Sequence, residues 1–216
     1  MNKSVLASVA VVAVVAIAGG TWFMNQSGGT ETISTSTEEA QQFDVVEMSL
    51  GNPDAAVQVV EYASYTCPHC ANFHSGPYQQ IKQDYIDTGM IGFTYREVYF
   101  DQPGLWASMI ARCGGEMRFF GISNLLYENQ QTWARAGDGA AVAAALRNIG
   151  KVAGLTDAEL EQCMSDGDKA QELMAWYQTN AERDGVTGTP SFTINGEMVS
   201  NRNFQSALEA AIADAN

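Results

Sequence analysis

Apolar positions along this chain fall into three regimes: an unbroken run at the start, short β-type runs, and stripes at helical spacing. The stretch from Ser4 to Met24 is Val, Ala and Ile with a few small polar residues, uncharged, and preceded by a single Lys3. That is the layout of a secretory signal, with Ala16-Ile17-Ala18 as a small-residue cleavage site. The run continues through Trp22, Phe23 and Met24, a length that also suits one membrane-spanning helix of roughly 20 residues. Residues 1–24 therefore read as a cleaved signal or as an N-terminal anchor, and either one exports the remainder. Residues 25–42 are rich in Ser, Thr, Gly, Gln and Glu, and Ile33 is the sole bulky apolar residue. Such a segment buries too little to offset the entropy of ordering and reads as a linker.

The folded part is expected over residues 43–216. Val57 to Tyr62 is a run of β-formers after the turn signal Gly51-Asn52-Pro53-Asp54, mostly apolar as in a strand buried on both faces. A helical segment carrying Phe73, Ile81, Tyr85 and Ile86 follows, with a kink expected at Pro77. Met90 to Val98 reads as a second core strand, completing a β-α-β unit. From about 103 to 185 the period becomes helical. Leu105, Met109, Cys113, Met117 and Phe120 form one predicted stripe. Val142, Leu146 and Ile149 form another. Thr156 to Glu159 is a capping box opening a helix with Leu160, Cys163 and Met164 on one face. Leu173, Trp176 and Tyr177 make a further stripe. Ser191–Ile194 and Glu197–Val199 flank Asn195-Gly196, a two-residue hairpin signal. Phe204, Leu208, Ala211 and Ile212 define a last amphipathic helix.

Composition narrows the function. The chain has 216 residues, 46% of them hydrophobic and 17% charged, which suits a globular domain. Its formal net charge is −14, so its field repels phosphate backbones and argues against nucleic-acid partners.

The chemistry concentrates at Cys67-Pro68-His69-Cys70, placed where a strand gives way to a helix. Disulfide exchange needs an attacking thiolate, a second thiol and access for the partner's sulfur. The free amides and positive dipole end of a helix N-terminus favour a thiolate on Cys67. Cys70, one turn in, would be shielded. The His69 ring would lie within reach of the Cys67 sulfur. Half a zinc site is the competing reading, but Cys113 and Cys163 form no second close pair. His74, as a lone helical histidine, reads as a surface residue, so no metal is assigned. In an oxidising compartment Cys113 and Cys163 either pair as a structural disulfide or remain two buried thiols.

A second motif, Val186-Thr187-Gly188-Thr189-Pro190-Ser191-Phe192, precedes the hairpin. With this segment, the Cys-Pro-His-Cys motif and the order of elements, residues 43 to the C-terminus resemble the DsbA family of thioredoxin-like oxidoreductases. The resemblance implies an α/β thioredoxin-like fold with an inserted all-helical subdomain. It implies a cis bond before Pro190, with the Thr189 backbone pairing with substrate, against a plain strand-initiating proline. It also matches Glu61 to a buried acid that handles the proton of Cys70, against an edge carboxylate reaching solvent. The expected function is donation of disulfides to exported proteins, with reoxidation by a quinone-linked membrane partner of DsbB type and no cofactor. An isomerase or reductase of the same fold, and a non-enzymatic chaperone or binding module, are the alternatives. Thr189, where family oxidases often carry valine, leaves the direction of exchange open.

Overall fold

The computed structural model describes residues 43–215. The expected signal or anchor (1–24) and linker (25–42) lie outside the described residues. The chain enters the sheet through a short strand, β1 (Met48–Gly51), and turns back into β2 (Val57–Ala63). Gly51 makes this turn possible: its φ is +80°, and a Cβ there would meet the Ile91 carbonyl at 2.2 Å. The Asn52 side chain accepts from the Asp54 N–H and its carbonyl from Ala55 N–H, closing the bend.

From β2 the chain passes into α1 (Pro68–Ser75), then α2 (Pro77–Ile81). The kink expected at Pro77 is a full break, with Gly76 at φ −129° and ψ −98° between the two helices. One π-helical turn over Lys82–Ile86 completes the segment before β3 (Ile91–Glu97). The helical block comprises α3 (Gln102–Cys113), α4 (Gly115–Glu128), α5 (Gln130–Trp133), α6 (Gly139–Val152), α7 (Asp157–Ser165) and α8 (Gly167–Arg183). The hairpin β4 (Ser191–Ile194) and β5 (Glu197–Val199) and the closing helix α9 (Phe204–Asp214) follow.

The strands form one mixed sheet in the order β1-β3-β2-β4-β5. At its centre β2 runs parallel to β3, from Val57 opposite Ile91 to Ala63 opposite Glu97. It runs antiparallel to β4, with Glu61 opposite Phe192 and Tyr62 opposite Ser191. This is a thioredoxin-like fold with its helical block inserted between β3 and β4. Phe192 of β4 stacks on Phe204 of α9 at 3.8 Å between centroids, with Phe73 of α1 against both. On the helical-block side, Tyr65, Tyr95, Phe119 and Tyr127 are all buried together. Each such fully buried large side chain stabilises the fold by roughly 1.5–3 kcal/mol. Arg112 of α3 grips buried Glu97 of β3 with two bonds of 2.7 Å, tying the block to the sheet.

Two expectations need correction. The stripe from Leu105 to Phe120 is not continuous. Gly114 ends α3 and Gly115, at φ +65°, starts α4 in a new direction. The helical phase resets there, so Met117 is 98% exposed while Phe119, Ile122 and Leu126 become the buried stripe. The second concerns β1, an added strand: Met48 and Leu50 alternate inward with Ser49 and Gly51 outward, but over four residues, too short a run to stand out in the sequence.

Candidate functional site

The path from β2 to α1 sets the position of Cys67. Its N–H donates to the Ser64 carbonyl at 3.1 Å, forming a tight bend. Cys67 is the N-cap of α1 with extended backbone (φ −79°, ψ 118°), and Pro68 occupies the first helical turn, where no N–H is needed. The side chain makes no capping hydrogen bond, so the sulfur stands beside the unpaired amides of the first turn. Cys67 is 9% exposed and Cys70 wholly buried, and both are free thiols.

This placement acidifies Cys67, from an ordinary 9.0 down to about 5. The largest cause is a hydrogen bond from the Cys70 thiol, opposed by burial and aided by the backbone N–H groups of Cys70 and His69. Cys70 moves the other way. Its bond to the Cys67 sulfur, its burial and the charge of Glu61 all push it far up. Near neutral pH Cys67 is therefore the thiolate and the more deeply buried Cys70 the protonated thiol. His69 is exposed, and its backbone N–H contributes to the acidity of the Cys67 sulfur.

Across from the cysteines, the segment before β4 presents Thr189 and Pro190. Their peptide bond is cis, Pro190 is buried, and the Thr189 carbonyl lies 3.5 Å from the Cys67 sulfur, from which it accepts only when Cys67 is protonated. The structure thus brings Cys67, Cys70, Thr189 and Pro190 together from two distant parts of the chain.

Glu61 lies under this pair in the centre of the sheet, with zero exposure, so it is not an edge carboxylate. Its partner is His74, whose Nε2 lies 3.1 and 3.0 Å from the two carboxyl oxygens. His74 is 4% exposed, which overturns its reading as a surface residue. The signal was available: His74 is four residues after Cys70, on the same inward face of α1. A second unanticipated residue is Gln130 at the start of α5. Its buried side-chain amide donates to the carbonyls of Tyr65 and Cys67 at 2.8 and 2.9 Å, bracing the bend from the helical block. Away from the site, Cys113 at the end of α3 and Cys163 in α7 are joined as a disulfide, with Cα atoms 5.9 Å apart.

An interior thiol behind an acidified cysteine at a helix start, faced by a proline segment, defines a redox dithiol protein of thioredoxin-like fold. The family profile described as Thioredoxin matches residues 44–214, and the chain belongs to that family. A relative from Rickettsia bellii, bearing the name of a protein-disulfide oxidoreductase, is 35% identical over 175 residues, covering 81% of this chain. This chain spans 66% of that relative's length. Among solved structures, Wolbachia pipientis alpha-DsbA1 superposes with a TM-score of 0.70 at 24% identity, over 78% of this chain and 92% of that one. A protein-disulfide isomerase from Novosphingobium aromaticivorans superposes equally well, with a TM-score of 0.70 at 25% identity, over 77% and 97% of the two chains.

Proposed function

We propose that this chain is a thiol:disulfide oxidoreductase that donates its Cys67–Cys70 disulfide to cysteines of exported proteins. The observation that carries the reading is the placement of free Cys67 at the start of α1, with wholly buried Cys70 one turn behind it and Thr189 and Pro190 across from it. In the oxidised form a client thiolate attacks the Cys67 sulfur, the accessible one. A client–Cys67 disulfide forms, the Cys67–Cys70 bond breaks, and Cys70 leaves and takes up a proton. A second client thiolate then attacks the client sulfur of the mixed disulfide. The client leaves oxidised, and Cys67 departs as a stabilised thiolate, the low-pKa leaving group that such exchange favours.

The client chain lies along the segment before β4. Once Cys67 is no longer a thiol donor, the Thr189 carbonyl is free to accept a client N–H, a one-residue version of strand addition. Pro190, buried beside it and without an N–H, limits that pairing. The signal-like run in residues 1–24 supports a location outside the cytoplasm, soluble or tethered, and the resemblance to DsbA supports reoxidation by a DsbB-type membrane oxidase. The test is oxidation of a reduced two-cysteine peptide by catalytic amounts of the protein with glutathione disulfide as terminal oxidant. Turnover should vanish in Cys67→Ser. Activity confined to reducing or reshuffling client disulfides would instead favour the isomerase or reductase reading. No turnover in any direction would favour a binding module.

A further inference from the structure

Cys70 needs a proton each time it leaves as a thiolate, yet it has zero exposure. The groups around it set where that proton comes from. Tyr127 lies near enough to feel the charges of both Cys70 and Glu61, and Tyr78 and Tyr95 feel that of Glu61. Burial pushes all three phenols well up, so none exchanges a proton near neutral pH. What remains beside Cys70 is Glu61 with His74.

The surroundings of His74 are those of a proton carrier. Its ring stacks on Tyr127 at 4.3 Å, with Tyr78 at 4.5 Å and Tyr95 edge-on at 5.8 Å. The ring is therefore fixed in orientation by α2, α4 and β3. Its Nε2 faces Glu61, while its Nδ1 is buried and has no hydrogen-bond partner among the described residues. A purely structural histidine would have both nitrogens satisfied. His74 also lines a cleft of ≈240 Å³ with Ser75, Gln79, Asn124, Tyr127 and the exposed Glu128. One imidazole thus spans the distance between a sealed carboxyl group and a polar opening.

We infer that His74 is the positioning and proton-supplying residue for Cys70: it shares one proton with Glu61, which hands it to the departing Cys70 sulfur, and replaces it from the cleft. The inference rests on the oxidoreductase reading above. The step balances as attack of R–S⁻ on Cys67, giving Cys67–S–S–R and Cys70–S⁻. Transfer from the pair then gives Cys70–SH and leaves the pair one proton poorer. Water entering the cleft returns that proton through Nδ1 and Nε2. In the reverse direction the pair accepts the proton of Cys70–SH as it attacks. His74 touches neither sulfur in this scheme and acts through Glu61.

The test uses the full chain with Cys67–Cys70 oxidised and dithiothreitol as the attacking thiol, followed by rapid acid quench and mass detection between pH 5 and 8. His74→Gln keeps an N–H for Glu61, and so the buried contact, but cannot relay a proton. We expect it to slow Cys70 release by about tenfold or more, the low end of what a positioned acid supplies. The ratio to wild type should change across this pH range, because the step that the variant loses is a proton transfer. Glu61→Gln should give a similar loss, and the double variant no further loss, since the two act as a unit. A wild-type rate in His74→Gln, or a loss that does not vary with pH, overturns the inference. An independent readout needs no turnover. The chain has two histidines, so Nuclear magnetic resonance signals of His74 can be assigned with His69→Gln. The His74 titration should differ between oxidised and reduced protein, and identical titrations overturn the inference. Protein that exchanges with dithiothreitol but oxidises no peptide refutes the proposed function alone, and the His74 comparison still stands.

Discussion

Closing Cys67–Cys70 should destabilise the native state near neutral pH and stabilise it in acid. The thiolate of Cys67 exists only after reduction, so whatever stabilises it favours the reduced fold. Its folded value of about 5 lies below the ordinary 9.0, the case in which stability is present above the unfolded value and lost as pH falls through the folded one. At pH 7 about two units of that interval are in force, which at roughly 1.4 kcal/mol per unit favours the reduced fold by about 3 kcal/mol. Against this, the closed loop of four residues constrains the unfolded chain and favours the oxidised fold by about 2 kcal/mol. The reduced protein should therefore be more stable by about 1 kcal/mol at pH 7 and about 2 kcal/mol at pH 8. The curves should cross near pH ~6, and below the Cys67 value the oxidised form should lead by about 2 kcal/mol. The assay is urea unfolding of both redox forms from pH 4 to 8, in a Cys113→Ala, Cys163→Ala background so that the second bridge cannot be reduced. Alkylation of Cys67 over the same range should independently give a midpoint near 5, with Cys70 far slower. An oxidised form more stable at every pH would mean that the Cys67 thiolate is not stabilised by the fold, and would leave a thioredoxin-like reductase as the better description.

The other predictions concern the frame around the site. Gln130→Leu keeps bulk but removes the donors to the Tyr65 and Cys67 carbonyls, so denaturant unfolding should show a loss of about 2 kcal/mol. The same variant should raise the Cys67 alkylation midpoint, because the bend that aims the sulfur loosens, whereas an unmoved midpoint would confine Gln130 to stability. Joint Cys113→Ala and Cys163→Ala, compared with wild type at one redox state of Cys67–Cys70, should cost about 4 kcal/mol for a bridge spanning 50 residues. A non-reduced digest should show the two cysteines in one linked peptide.

Local signals gave most of the fold, and the losses have physical causes. Val57–Ala63, Ile91–Glu97 and the β4–β5 hairpin were readable because buried strands are runs of β-formers and Asn195-Gly196 admits one kind of turn. The capping box at Thr156 and Glu159 formed with both of its bonds, since each depends only on residues three apart. The break at Gly114-Gly115 was overlooked because apolar spacing continues across it, although a Gly-Gly pair is itself a turn signal. At the site, Cys67, Cys70 and Pro190 announce themselves by motif. The partners that tune them do not. Glu61 and His74 are 13 residues apart, and Gln130 lies 63 residues from Cys67, so each contact exists only once the sheet and helical block have packed. A buried glutamine carries no chemical signature in a sequence, and His74 could be placed inward only by noting its helical phase with Cys70.

Cys67 exchanges, and Cys70 waits behind it. The most direct test is to trap the mixed disulfide. Reduced Cys70→Ser and reduced Cys67→Ser protein would each be mixed at pH 7 with a peptide whose single cysteine is activated as a disulfide, quenched in acid after seconds, and mapped by mass spectrometry. Capture should be near-complete on Cys67 in Cys70→Ser and almost absent on Cys70 in Cys67→Ser. Comparable capture on Cys70 would contradict this assignment, because a buried, protonated thiol cannot keep pace with a thiolate at the mouth of the helix.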